Sequence, residues 1–238
     1  RHGRIRPPAE PRPADQRFQR SEPNQLWQID FKGPLEVGRQ RVIPLSLLDD
    51  HSRYLLALTP CHDVTTRTAW DVLWQVMGAV GMPEAVLADN AFGNNSKRRL
   101  GLSWFDARLV RCGIRPIHGR PYHPQTQGKV ERFHGTLQRE LWPRVRRDRL
   151  EHFAADLDAW RQSVYNTLRP HEALGQEPPI LHWRPSKRQR PDVLPPPDYP
   201  ADATLRKVFY PGLIHWRRCR IRVGQGLVGQ CVRLEERD

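Results

Sequence analysis

The chain has 238 residues, of which 38% are hydrophobic, and a formal net charge of +13. That length allows one sizeable core with appendages, and with no apolar run of bilayer length and no signal peptide the sequence does not read as a membrane protein. The basic excess, 34 arginines against 5 lysines, points to a polyanion, because the guanidinium fork matches phosphate oxygens. Nucleic acid fits better than an anionic membrane surface, for which a basic amphipathic helix would be needed.

Residues 1–24 hold five prolines and six arginines and read as a basic, extended leader. Order is expected from Leu26. The runs Leu26–Phe31, Arg41–Leu48 and Tyr54–Thr59 read as three strands of an antiparallel meander, separated by turns at Gly33-Pro34 and Asp49-Asp50-His51-Ser52. Ala69, Leu73, Val76, Met77 and Val80 share one helical face, capped by Thr65 or Thr66 and ended by Gly81. A short strand at Ala85–Ala88, a polar loop over 90–102, a helix near Ser103–Arg111 and a strand near Ile114–Ile117 follow. Val130, Phe133, Leu137 and Leu141 mark a helix that begins at Pro124. Phe153, Leu157, Trp160 and Val164 mark the last helix. The order βββαβαβαα is a mixed α/β layer with an antiparallel flank.

Residues 185–203 are a proline-rich basic linker. Beyond it, 204–238 alternates polar and apolar residues around four glycines and reads as a small all-β barrel. There Arg218, Arg220 and Arg222 would share one strand face as a rail for a DNA backbone. The cysteines Cys61, Cys112, Cys219 and Cys231 form no CxxC pair, so neither a zinc site nor a disulfide framework is expected, and a reducing compartment fits.

Three acids carry the chemistry. Asp30 interrupts a strand flanked by Trp27, Ile29 and Phe31, and Asp89 ends a later strand. If those strands are neighbours, both carboxylates emerge at one edge of the sheet. Glu131 lies beside the Val130/Phe133 stripe and looks into a cleft. Such carboxylates can hold two divalent cations, and two cations can drive attack on a phosphodiester. Gln127, Lys129, His134 and Gln138 surround Glu131, as DNA contacts or as a solvated helix face. Asp49 and Asp50 read as turn chemistry. His118 and His123, without cysteine partners, read as phosphate or structural contacts.

The segments LWQIDFKGPL, LLDDHSRYLLAL, LADNAFGN, HGRPYHPQTQGKVERFHGTLQREL and YNTLRPHEALGQEPP, in that order over about 22–185, resemble the integrase-type catalytic core of bacterial insertion-sequence transposases. The resemblance implies an RNase H-like fold over 25–184, with a mixed five-stranded sheet and flanking helices, and an SH3-like barrel for 204–238. It implies Asp30, Asp89 and Glu131 as the catalytic and metal-binding triad, with two Mg²⁺ (Mn²⁺ as substitute). The partners implied are transposon-end and target DNA and further copies of the chain, since transposition joins two ends. A bacterial cytoplasmic, nucleoid-associated location and an upstream helix-turn-helix go with it. The sequence departs from the family at Ala91, where glycine is usual, and in the 41 residues between Asp89 and Glu131. A nuclease or resolvase that cuts without joining, and a non-catalytic DNA-binding or assembly subunit of the same fold, are the alternatives.

Overall fold

The computed structural model describes residues 19–89, 102–118 and 128–235. The expected loop at 90–102 falls almost wholly outside these residues, as do His123, Gln127, Ala91 and most of the leader. The described end of the leader is packed rather than extended. Asn24 is buried, its N–H donates to Asp49 Oδ2 at 2.7 Å, and its carbonyl accepts from Glu84 at 2.9 Å.

β1 (Trp27–Phe31), β2 (Leu35–Val37), β3 (Gln40–Asp49), β4 (Leu55–Cys61), β5 (Ala85–Ala88) and β6 (Arg115–His118) form one sheet. β3 pairs antiparallel with β4 on one side and with β1 and β2 on the other. β1 then pairs parallel with β5, and β5 with β6. The sheet has six strands rather than the five expected. The extra one, β2, continues β1 along β3 beyond Gly33-Pro34, so the expected strand-separating turn there is corrected: the chain reverses at Gly38-Arg39, and the three residues of β2 are too brief to read as a strand.

Period-two alternation sends residues of one strand to opposite faces. Trp27, Ile29, Leu45 and Leu47 pack on one side against α1 (Thr66–Val80) and α2 (Trp104–Arg111). Val42, Leu48, Leu55 and Leu58 pack on the other against α3 (Gly128–Thr136) and α4 (Leu150–Ala159). Thr65 caps α1 by accepting from Thr68 N–H at 3.2 Å. Gly81 ends it at φ 81°, where a side chain would be strained and would also run into the backbone of Ser186 and Arg188.

Both helices on the second face continue as π-helical turns, Leu137–Leu141 and Trp160–Tyr165. A π turn holds more residues than an α turn, so the buried stripe slips by one position. The expected core residue Val164 is 38% exposed, and Tyr165 is buried in its place. The next residue, Asn166, continues the edge of β4 with its side chain. Its Oδ1 accepts from Leu55 N–H at 2.8 Å, and its Nδ2 donates to Leu55 O at 3.0 Å. Asn166→Ala is expected to destabilise the fold by about 2 kcal/mol in urea denaturation, because the buried Leu55 N–H loses its acceptor. Leu55 O keeps a donor in Arg161.

The expected linker packs as an ordered strap. Ser186 N–H donates to Val80 O at 2.8 Å, Met82 N–H to Arg188 O at 2.7 Å, and Arg111 Nε to Pro195 O at 2.7 Å; Arg190 stacks over Trp74 at 4.3 Å. Proline lacks an N–H but keeps its carbonyl, so Arg111 can grip a segment that could not join a sheet.

Beyond the strap, β7 (Thr204–Lys207) pairs with β10 (Cys231–Leu234), and β8 (Leu213–Trp216) with β9 (Cys219–Arg222). Among the described residues these are two separate two-stranded sheets, with no closed barrel. This C-terminal unit touches the core at Gly226, where any Cβ would overlap the backbone of Ser103 and Trp104. The three-arginine strand face is also corrected. Arg217 and Arg218 have φ of 44° and 65° and form the hairpin turn, leaving Arg220 and Arg222 alone on one face of β9.

Candidate active site

Gln28 and Asp30 lie on the face of β1 opposite Trp27 and Ile29, beneath α3. The parallel register pairs Ile29 with Ala88, so one further step sets Asp89 level with Asp30 at the adjoining strand end. α3 brings Glu131 in its first turn, exposed, while Val130 and Phe133 are buried. The amphipathic period that buries those two apolar residues is what leaves Glu131 outside the core.

The charges of these groups act on one another. Burial lifts the Asp30 carboxyl to about 6; the Phe31 N–H, donating to Oδ1 at 2.9 Å, opposes this, Asp89 raises it further, Lys32 lowers it and Glu131 raises it. The register sets Asp89 beside Asp30, and Glu131 opens the helix that packs over the same strand. Their donor set is all carboxylate oxygen, which suits a hard divalent cation such as Mg²⁺, and such a cation would relieve the repulsion. The arrangement is open: among the described residues no group of three or more His, Cys, Asp or Glu is drawn together closely enough to hold a metal ion.

His134 lies one turn beyond Glu131 and is 6% exposed. Burial, and then Lys32, hold its imidazole down at about 4, so it is neutral at pH 7. Its Nδ1 sits 3.8 Å from Asp30 Oδ2, and its Nε2 is 3.3 Å from Ser46 Oγ. Ser46 gives its hydroxyl hydrogen to Asp30 O at 3.2 Å. His134 must then donate from Nε2, which leaves Nδ1 an acceptor facing Asp30. The residue is thus a buried neighbour of Asp30 and not part of an open helix face.

Lys129 is likewise engaged within the protein. Its Nζ donates to Asp50 Oδ1 at 2.6 Å and to Asp50 O at 3.2 Å. Burial, then Arg53, push the ammonium down to about 8, with Asp50 opposing, so it stays cationic at pH 7. Gln138 is exposed. Gln127 lies outside the described residues. Arg218, Arg220 and Arg222 are exposed on the β8–β9 hairpin, away from the carboxylates in sequence and in a separate sheet.

Two polar groups around the site, Asp50 and Ser46, escaped sequence reasoning, whereas Asp49 was legible as a turn residue. Asp49 does turn work, accepting from Ser52 N–H and Oγ at 2.8 and 2.6 Å. Asp50 is a fully buried acid that ties β1 to α3, and only its place at the end of an otherwise apolar strand hinted at it. Ser46, the cross-strand partner of Asp30, carries no sequence signal. His118, level with Ala88, bonds Asp106 Oδ1 at 2.8 Å, and Asp106 also completes the capping box of α2 with Ser103.

A sheet ordered β4–β3–β1–β5–β6, antiparallel then parallel, with helices on both faces and acids at the ends of the two central parallel strands, is the RNase H-like arrangement of integrase catalytic cores. Residues 20–124 match one family model described as an integrase core domain, and residues 112–179 match a second of the same description. It is 30% identical over 119 residues to the Gag-Pro-Pol polyprotein of squirrel monkey retrovirus, a match covering 50% of this chain and 6% of the polyprotein. It is 27% identical over 159 residues to the insertion element IS476 uncharacterized 39.2 kDa protein of Xanthomonas euvesicatoria, covering 67% of this chain and 44% of that protein. The chain therefore spans less than half the length of either relative. A chain in the structure of the simian T-cell lymphotropic virus intasome superposes with a TM-score of 0.55 at 18% identity, covering 92% of this chain and 83% of that one, which is a likeness of fold. No helix among the described residues is long and apolar enough to cross a membrane.

Proposed function

We propose that this chain is a DNA transposase whose catalytic groups are Asp30, Asp89 and Glu131. The observation that carries this reading is the parallel register that sets Asp89 beside Asp30, beneath the helix that carries Glu131, in a chain of net charge +13. In the first step water attacks the phosphorus at the element end, and the P–O3′ bond breaks to leave a 3′-OH. In the second that hydroxyl attacks a target phosphorus, forming a new P–O bond and releasing the target's own 3′-oxygen. Asp30, Asp89 and Glu131 would hold two divalent cations, which would activate the attacking oxygen and stabilise the leaving one.

The protein's remaining groups orient and neutralise. Ser46 holds the main-chain carbonyl of Asp30 and links it to neutral His134. Exposed Gln138, with Arg218, Arg220 and Arg222 on the C-terminal hairpin, is available to DNA. That C-terminal unit of two two-stranded sheets, read as a DNA-binding module, and a multimer joining two DNA ends belong to the same proposal. The test is strand cleavage and joining with labelled end DNA and Mn²⁺. Cleavage without joining of a precut end would mark a nuclease or resolvase. The open spacing of the carboxylates favours one further reading, a non-catalytic DNA-binding subunit, which would show no Mn²⁺ binding that depends on Asp30 and Asp89.

DNA affinity is expected to fall at least about tenfold between roughly 50 and 200 mM salt, because each neutralised phosphate releases counterions. Fluorescence anisotropy across that range checks it. A flat profile would show that the basic surface does not meet DNA.

A further inference from the structure

We infer that Lys129 is a positioning residue: through Asp50 it fixes the helix that carries Glu131 to the strand that carries Asp30. The inference rests on the catalytic reading of those two acids. Its geometric basis is a single joint. Asp50 Oδ1 accepts from Lys129 Nζ at 2.6 Å, two residues before Glu131, and from Gln28 Nε2 at 2.6 Å, two residues before Asp30. Asp50 Oδ2 accepts from Arg20 N–H at 2.9 Å, so the carboxylate is held on both oxygens. One buried side chain thus couples β1 and α3 immediately beside the acids each delivers.

The same helix is gripped at its far end. Arg169, from the YNTLRPH segment, makes a bidentate contact with Glu140 at 3.0 Å on both oxygens. With His134 held on Ser46 between these points, α3 and its π continuation are fixed along their length. A buried ion pair contributes little net stability compared with apolar residues of the same volume. Its directional bonds fix geometry instead, and an error of about 1 Å in placing a catalytic group can cost about a hundredfold in rate.

Asp50 is 0% exposed and cannot touch DNA, which makes it the means of testing Lys129. The full chain is compared with Lys129→Met, Asp50→Asn and the double variant on labelled end DNA with Mn²⁺. Each single variant is expected to lower kcat for cleavage about a hundredfold, with the double no worse and with KM for DNA and the salt slope unchanged. If Lys129 instead contacts phosphate, Lys129→Met will weaken DNA binding and reduce the salt slope by about one, while Asp50→Asn cleaves normally, and the inference is overturned. Should Lys129→Met fail to fold, the isosteric Asp50→Asn carries the test: normal kcat in it overturns the inference. A wild-type chain that does not cleave would count against the proposed function. The clamp would then be read from a double-mutant cycle on thermal stability, where additive effects overturn it and strong coupling supports it.

Discussion

Asp30→Asn, Asp89→Asn and Glu131→Gln are each expected to lose strand cleavage by about a thousandfold or more while keeping the fold. The magnitude follows from the chemistry: cations on an attacking and a leaving oxygen stabilise the transition state by several kcal/mol, and each ~1.4 kcal/mol is about tenfold in rate. The neutral isosteres keep shape and hydrogen-bonding capacity but cannot hold a hard cation. Asp30 and Asp89 are expected to have the larger effects, since Asp30 lies in β1 and Asp89 directly follows its parallel neighbour β5, whereas Glu131 comes from an exposed helical turn. Cleavage of labelled end DNA under single-turnover conditions checks each one. Near-normal activity in a folded variant would remove that residue from the site.

The same substitution at Asp30 is expected to stabilise the metal-free protein at neutral pH. Its carboxyl has a raised folded value of about 6 against an ordinary 3.8. Below about pH 4 the group is protonated in both folded and unfolded chains and carries no penalty. As pH rises through 6 the folded protein must hold an unwelcome charge, so stability is lost, and above pH 6 the loss is complete. Asp30→Asn never acquires that charge. It is therefore expected to exceed the wild type by about 1–3 kcal/mol at pH 7.5, with the difference vanishing near pH 4. Thermal unfolding across that range, with chelator present, measures it. Adding Mg²⁺ is expected to raise the Tm of the wild type and not that of the variant. A variant less stable than the wild type at pH 7.5 would mean that Asp30 is a satisfied structural acid.

Much of this was legible in the chain because the periodicities are local. The alternation in Trp27-Gln28-Ile29-Asp30 is enough to put Asp30 on the face opposite the tryptophan, and the Val130/Phe133/Leu137/Leu141 stripe is enough to leave Glu131 outside the core. What escaped is of two physical kinds. The first is a slip in local period: the π turn after Ala159 buries Tyr165 and exposes Val164, and nothing in the composition of that helix announces it. The second is pairing over long separations. Lys129 and Asp50 lie 79 residues apart, so one read as a DNA contact and the other as a turn residue until the fold set them together. The strap over 184–195 belongs to the same kind. Its prolines read as a spacer, yet its carbonyls are held by Arg111 and by the end of α1.

The central claim is that Asp30, Asp89 and Glu131 form one cation-holding site. The most direct measurement is an anomalous-difference map from crystals of this chain soaked in Mn²⁺ near pH 7.5, above the range in which Asp30 carries a proton. Peaks bound by the carboxylates of Asp30 and Asp89 are expected, with Glu131 completing a second position, and no such peaks in crystals of Asp30→Asn. Well-ordered crystals with no peak at these acids, or with Mn²⁺ bound only elsewhere, would contradict that claim.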